Sequence, residues 1–279
     1  MKTIVKSALL ASAIFATTAS AATISVKVSD LAFTGPNLDS AATYANAVAA
    51  ETAFVASLNA GSVNEDFESA AFLVNSQSVV VAGNLQQTQN QSWAGSKVSF
   101  STNVGTFELI TEGQGSSALN DLSNAANDKL MIENSSTGEF GRSAAESKGH
   151  WLDSNDAQKV VWNLGAPLSS AFNALGFYLS DSADVAGKLT LTFADQNTID
   201  FDLETLWSNS KTNGNVRYVT VISDSSILNG KVTFDVSAKN DGWGIDNITV
   251  GTVPEPGSIL LMGLGLLGLG AARRRAKAQ

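Results

Sequence analysis

Three groups of carboxylates are the residues best placed to do chemistry. The stretch "NEDFESA" (64–70) carries Glu65, Asp66 and Glu68, "GFYLSDSADVAG" carries Asp181 and Asp184, and "NDGWGIDNITV" carries Asp241 and Asp246. Crowded carboxylates repel one another unless a cation or hydrogen bonds offset the charge. Hard oxygen donors suit Ca²⁺, which takes about six to eight of them in forgiving geometry. One reading is a structural Ca²⁺ held by Glu68 and Asp246, with Asp66, Asp181 and Asp184 as further candidates. The other is solvated turn carboxylates, Asp being common where chains reverse. No loop has the EF-hand spacing.

Two other chemistries compete for attention. Trp93 ("NQSWAGS"), Trp151 ("KGHWLDS") and Trp207 ("ETLWSNS") sit among polar residues, as rings that stack on sugars do. The competing reading puts each at the edge of a hydrophobic core, and Trp162, within "VVWNL", belongs in that core. Ser143, His150 and Asp153 lie within eleven residues of one another and invite a triad. Triads are assembled from distant segments, so this proximity argues for a loop histidine instead. Carboxylate pairs at glycosidase separation are conceivable, but no arrangement marks one out. No catalytic residue is assigned.

Composition narrows the field further. The chain has 279 residues, no cysteine and a single histidine, His150. Disulfides, thiolate metal sites and cysteine nucleophiles are therefore excluded. Of the 17 basic residues, six (Lys2, Lys6, Arg273, Arg274, Arg275 and Lys277) lie at the two ends. The remainder is left with a net charge of about −15. Such a body repels phosphates, and nucleic acid is not an expected partner.

The elements that must position these residues read as strands. Thr23 to Val28 alternates apolar and polar residues. "LDSAATYANAVAAETAFVASLNAG" (38–61) reads as an Ala-rich helix closed by Gly61, with Tyr44, Val48, Val55 and Leu58 near helical spacing. Beyond Val63 the texture becomes short period-two runs separated by Gly, Asn, Asp and Ser. Ten such runs are expected, at 97–102, 106–111, 129–133, 159–164, 174–180, 188–194, 198–203, 217–223, 231–237 and 244–250. Leu189, Leu191 and Phe193 point one way, and Val232, Phe234 and Val236 do the same, as in half-buried antiparallel strands. The fold class expected is all-β: an antiparallel, jelly-roll-like β-sandwich with an N-terminal helix and a C-terminal hydrophobic anchor helix. The segments 112–128 and 135–156 are expected as long polar loops.

The two ends read as addresses. Lys2 and Lys6, an apolar run from Ala8 to Ala16, and Ala19-Ser20-Ala21 make a secretory signal peptide cut after Ala21. At the other end, Ser258 to Ala272 is uncharged and rich in Leu and Gly. As a helix it reaches only about 22 Å, short of the ~30 Å hydrocarbon core, so it is a weak membrane stop. Arg273, Arg274 and Arg275 behind it would stay cytoplasmic. The expected organisation is a signal peptide at 1–21, a strand and helix at 22–62, a β-sandwich domain at 63–251 and a tail at 252–279.

Pro254-Glu255-Pro256, a Gly/Leu-rich helix and a terminal arginine cluster, in that order, resemble the PEP-CTERM sorting signal of exported bacterial proteins. The resemblance implies processing by an exosortase, a membrane cysteine protease-transpeptidase, after export through the Sec machinery. It also implies transient residence in the inner membrane, then release to the cell surface or extracellular matrix. The run from the Ala-rich helix through "EDFES" and "GFYLSD" to "GWGIDNITVG" is similar to β-sandwiches carried by proteins with that signal. More loosely, it is similar to jelly-roll carbohydrate-binding modules, which implies a structural calcium at Glu68 and Asp246. The expected function is a non-catalytic module associated with glycan or exopolysaccharide, as in a biofilm matrix. Two alternatives stand beside it: a secreted glycan-active hydrolase using a carboxylate pair, and a self-associating structural matrix protein.

Overall fold

The computed structural model describes residues 24–29, 45–69, 76–79, 91–111, 130–134, 149–154, 157–182, 185–206, 216–237 and 242–254. The signal-peptide residues Ala19 and Ala21 lie outside them, as do Asp184, Trp207, Glu255, Pro256 and Arg273 to Arg275. Among the described residues no helix is long and apolar enough to cross a membrane. The anchor expected at 258–272 lies outside them.

Strands form where apolar residues alternate, as in β9 and β14, or where both faces are covered, as in β10 and β13. In chain order they are β1 (Ile24–Val28), β2 (Val63–Glu65), β3 (Ser76–Val79), β4 (Gln91–Lys97), β5 (Ser99–Thr102), β6 (Gly105–Thr111), β7 (Leu130–Asn134) and β8 (His150–Asp153). They continue as β9 (Lys159–Asn163), β10 (Ala174–Ser180), β11 (Gly187–Thr192), β12 (Thr198–Asp202), β13 (Val216–Ser223), β14 (Lys231–Val236) and β15 (Gly244–Gly251). Each of the ten expected runs coincides with a strand. The run at 97–102 is broken at exposed Val98, where β4 hands over to β5. Strand β8 falls in a stretch expected to be a loop.

Among the described strands all pairings are antiparallel, and these strands build two sheets. The larger runs β1-β13-β10-β15-β8-β7-β4-β3, with β2 also paired to β15; the smaller runs β12-β11-β14-β9-β6-β5. From β8 onward the chain alternates between them, save for the β11–β12 hairpin, so that one sheet orders β8-β15-β10-β13 and the other β9-β14-β11-β12. The inner faces share one core: Leu175, Phe177, Val219 and Ile248 from the larger sheet meet Trp162, Leu189, Leu191 and Phe234 from the smaller. Phe107 stacks on Trp162 at 5.2 Å, and Trp162 donates its indole N–H to the Val104 carbonyl at 3.0 Å. Burying each such aromatic contributes roughly 1.5–3 kcal/mol.

Helix α1 (Ala45–Ser57) covers the outer face of β10 and β13. The face it buries holds Ala47 and Phe54, with Ala50 and Leu58 partly buried. Val48 and Val55, expected on the inner face, are each 45% exposed. The docked helix lies against a sheet that has cleared room for it. At Gly176 on β10 a Cβ would collide with the Tyr218 hydroxyl and the Phe54 ring. A second helix, α2 (Leu203–Leu206), is a single turn after β12, started by the Asp202 carboxylate accepting from Thr205 N–H at 2.8 Å.

Candidate functional site

Strand β15 organises one end of the sandwich because two strands share its edge. β8 pairs with Gly244 and Ile245, and β2 pairs with Ile248, Thr249 and Val250. Between them the register with β10 shifts at Asn247 and Ile248, with Asn247 at φ +42°. This places the carboxylate-rich tail of β2 beside the start of β8. Glu68 there accepts hydrogen bonds from the His150 backbone N–H and, at 2.7 Å, meets His150 Nδ1. The pair fastens β2 to β8. His150 and Asp153, three positions apart on one strand, point to opposite faces, and Ser143 lies outside the described residues.

Glu65 is the carboxylate with a structural task. Its side chain is buried, and its two oxygens accept from Phe67 N–H at 3.0 Å and Asn103 N–H at 2.7 Å. Burial lifts its carboxyl above the ordinary glutamate value, and the Asn103 and Phe67 N–H groups only partly oppose that rise. Asn103 is the tip of the β5–β6 turn, Thr102-Asn103-Val104-Gly105. That turn needs Gly105 at φ +123°, and the Thr102 hydroxyl steadies it by donating to the Gly105 carbonyl at 2.8 Å. Glu65 therefore ties the tip of one sheet's hairpin to the centre of the other sheet.

The expected calcium ligands are scattered around this end. Asp66 is exposed and accepts from Glu68 N–H at 3.1 Å. Asp181 is fully buried at φ +52° just past β10. Asp246 is buried opposite Tyr178 and accepts from Asn247 N–H at 2.7 Å. Among the described residues no three His, Asp or Glu side chains converge in a way that could hold an ion. Glu68 turns to His150, and Asp184 lies outside the described residues.

The tryptophans divide similarly. Trp151, expected as a sugar-stacking ring, has no exposed surface; it packs against Gly244, where a Cβ would lie 2.7 Å from its ring. Trp162 and Trp243 are equally buried, and Trp243 stacks on Phe234 at 4.1 Å. The Trp93 backbone lies in β4, paired with Gln77 and Glu133.

On the outer face under α1, the Tyr178 hydroxyl donates to Glu51 at 2.7 Å, and its ring meets Tyr218 edge-on at 5.0 Å. Burial, and then the Glu51 carboxylate, hold both phenols well above the ordinary tyrosine range. This arrangement latches the helix.

Two adjoining clefts open at the β2 end. The first, of about 780 Å³, is lined by Ser69, Ser99, Ser101, Thr102, Asn103 and Thr106, with Glu65 and Pro167 at its floor and rim. The second, of about 620 Å³, shares Asn103 and Pro167 and runs past Ser62, Asn64, Ser169 and Ser170 to Gly251 and Thr252. Neither was foreseen from the sequence. Serines and threonines on loops look the same whether they line a cleft or merely face water. The one available clue was the Thr-Asn-Val-Gly turn, whose Gly105 announces a tight reversal.

The comparisons with known proteins bear mainly on the tail. No curated protein matches the chain. One solved structure to which it is similar is the enzymatically active domain of tailspike protein 4 from bacteriophage CBA120. That similarity has 14% identity and a TM-score of 0.23, over 58% of this chain and 19% of that one, and is too loose to carry an argument. A family model, the PEP-CTERM protein-sorting motif, matches residues 252–275. The match begins within the last residues the sandwich holds, at Thr252 and Val253, and takes in the tripeptide, the uncharged run and the three arginines. The chain thus carries a PEP-CTERM sorting motif, the signal of an exported surface protein sorted by an exosortase.

Proposed function

We propose that the exported body is a non-catalytic, jelly-roll module that associates with exopolysaccharide through the first cleft. The interleaved order β8-β15-β10-β13 over β9-β14-β11-β12 supports the jelly-roll reading, because the chain changes sheet as two nested Greek keys do. The observation that carries the function is the lining of the first cleft. Ser69, Ser99, Ser101 and Thr106, which carry hydroxyls, line it together with Asn103. Hydroxyls both donate and accept, so such a wall exchanges hydrogen bonds with the hydroxyls of a neutral sugar in several orientations.

Hydrolysis is disfavoured by the same lining. Glycosidases use two carboxyl groups across the scissile bond. Among the residues lining this cleft Glu65 is the one carboxylate, and both its oxygens are engaged by backbone N–H groups.

The test is co-sedimentation of the secreted protein with the host's exopolysaccharide, wild type against Ser101→Trp. Ser101 is exposed on β5, so the indole fills the cleft without entering the core. Retention of the wild type and loss with Ser101→Trp supports the reading. Equal retention of both moves the contact elsewhere, and no retention of either leaves self-association in a matrix as the better account.

A further inference from the structure

The sandwich holds its chain up to the residue before the sorting tripeptide. Asn173 pairs with the exit strand twice. Its backbone N–H reaches the Gly251 carbonyl at 3.1 Å. Its side-chain amide then accepts from Val253 N–H at 2.8 Å and donates to the Val253 carbonyl at 3.1 Å. The amide thus stands in for a peptide group and continues the ladder two residues beyond β15. On the opposite side Asn59 N–H donates to the Thr252 carbonyl at 2.8 Å. Leu58 packs against Gly251 so closely that a Cβ there would lie 2.9 Å from its methyl.

Val253 is therefore fixed, and four residues, Pro254 to Gly257, separate it from the uncharged run that starts at Ser258. Fully extended, four residues reach at most about 14 Å. A body of this size has a radius of gyration of roughly 17 Å. Any enzyme that works at the membrane on bonds in or beside the tripeptide must meet the body at its exit.

The surface it meets is uncharged. The second cleft, which Gly251 and Thr252 line, is walled by Gly61, Ser62, Asn64, Ser169 and Ser170, and none of its lining residues is charged. The chain as a whole carries 26 acidic residues. An uncharged rim of small side chains can be desolvated against a partner at low cost, where stray carboxylates could not.

We propose that this rim, around the second cleft and the Asn173-held exit strand, is a docking face for the membrane-embedded exosortase. The fold holds Thr252 and Val253, where the sorting motif begins, beside that face. This goes beyond the glycan reading, since it uses the other cleft and acts before release.

The experiment follows the full-length protein in a host that carries its exosortase, reading the fraction that loses its tail. Ser170→Glu places a charge at an exposed rim position. It is expected to lower processing about fivefold, because a charge trapped in a desolvated contact is costly. An insertion of about ten Gly/Ser residues between Val253 and Pro254 adds roughly 16–19 Å of reach. It separates motif from rim and is expected to lower processing similarly, with Ser170→Glu having no further effect in that background. Lys188→Glu, exposed on β11 in the smaller sheet, should change nothing. If Ser170→Glu lowers the melting temperature, Ser169→Arg at the exposed neighbouring position carries the same comparison. Wild-type processing of the charged rim variants, or faster processing with the insertion, overturns the proposal. Either result makes the rim a bystander or an obstacle.

Discussion

Replacing Glu65 by Gln tests the claim that a buried carboxylate joins the two sheets. The carboxylate offers an oxygen to each of two backbone N–H groups, Phe67 at 3.0 Å and Asn103 at 2.7 Å. Glutamine has one carbonyl oxygen, so its NH₂ must face one of those N–H groups donor to donor. The oxygen will serve Phe67, which is wholly buried, and the mismatch will fall on Asn103, which lies at the surface and can turn to water. Leaving a backbone donor facing another donor costs about 1–3 kcal/mol, which puts the loss near 2 kcal/mol. In a domain of this length that lowers the melting temperature by about 4–8 °C.

The pH dependence is a sharper criterion. Because burial raises the folded-state value of Glu65 above its ordinary 4.5, the folded protein holds this proton more tightly than the unfolded chain does. Its contribution is complete below 4.5 and is lost as pH rises through the higher folded value. Wild type should lose stability over that interval relative to Glu65→Gln, whose residue 65 cannot titrate, so the gap between them should narrow. Urea melts of the secreted protein between about pH 4 and 8 read both quantities. A Glu65→Gln variant as stable as wild type at low pH, or a gap that widens as pH rises, refutes the assignment.

Three further outcomes are expected. Gly105→Ala should cost at least about 3 kcal/mol in denaturant melts, since it strains a φ of +123° and drives a Cβ into the Asn163 carbonyl. Trp151→Ala should cost about 3–5 kcal/mol, whereas Trp151→Phe should keep polysaccharide retention unchanged, because the ring is a core residue and not a sugar platform. In an alkaline absorbance titration, two of the three tyrosines should resist ionisation until the protein unfolds. Tyr178 and Tyr218 are raised by burial, and stability should fall as pH climbs above about 10.

Divalent-cation removal bears on the calcium reading. A chelator is expected to leave the melting temperature in place, since Glu68 spends its carboxylate on His150. A fall of several degrees would return Glu68 and Asp246 to consideration together with Asp184.

What could be read from the sequence was whatever alternates. Leu189, Leu191 and Phe193 face the core while Thr190 does not, and that period-two contrast announces β11. β8 carries no such contrast. Trp151, Leu152 and Asp153 are all buried, because neighbours cover both faces, and a four-residue "HWLD" then resembles a loop. The helix was visible but its orientation was not. In an Ala-rich stretch, Val48 and Val55, which face solvent, look as apolar as the inward Ala47 and Phe54. The clefts were illegible for another reason. They are assembled from β5, its turn and the β9–β10 connection, and nothing local to Ser101 or Ser169 records that these segments meet.

The position of β15 has a consequence for export. It is the last of the described strands in the chain, yet it lies inside the larger sheet, bonded to β10 on one edge and to β8 and β2 on the other. Residues 63–65 must wait for residues 248–250, and the sandwich cannot close until that last strand arrives. A chain threaded N-terminus first through a translocation pore therefore stays open, and threadable, over nearly its whole length. The uncharged run begins seven residues after β15 ends. Completion of the fold and arrest at the membrane thus come within moments of each other. Sorting by the exosortase would then act on a body that has only just acquired its shape.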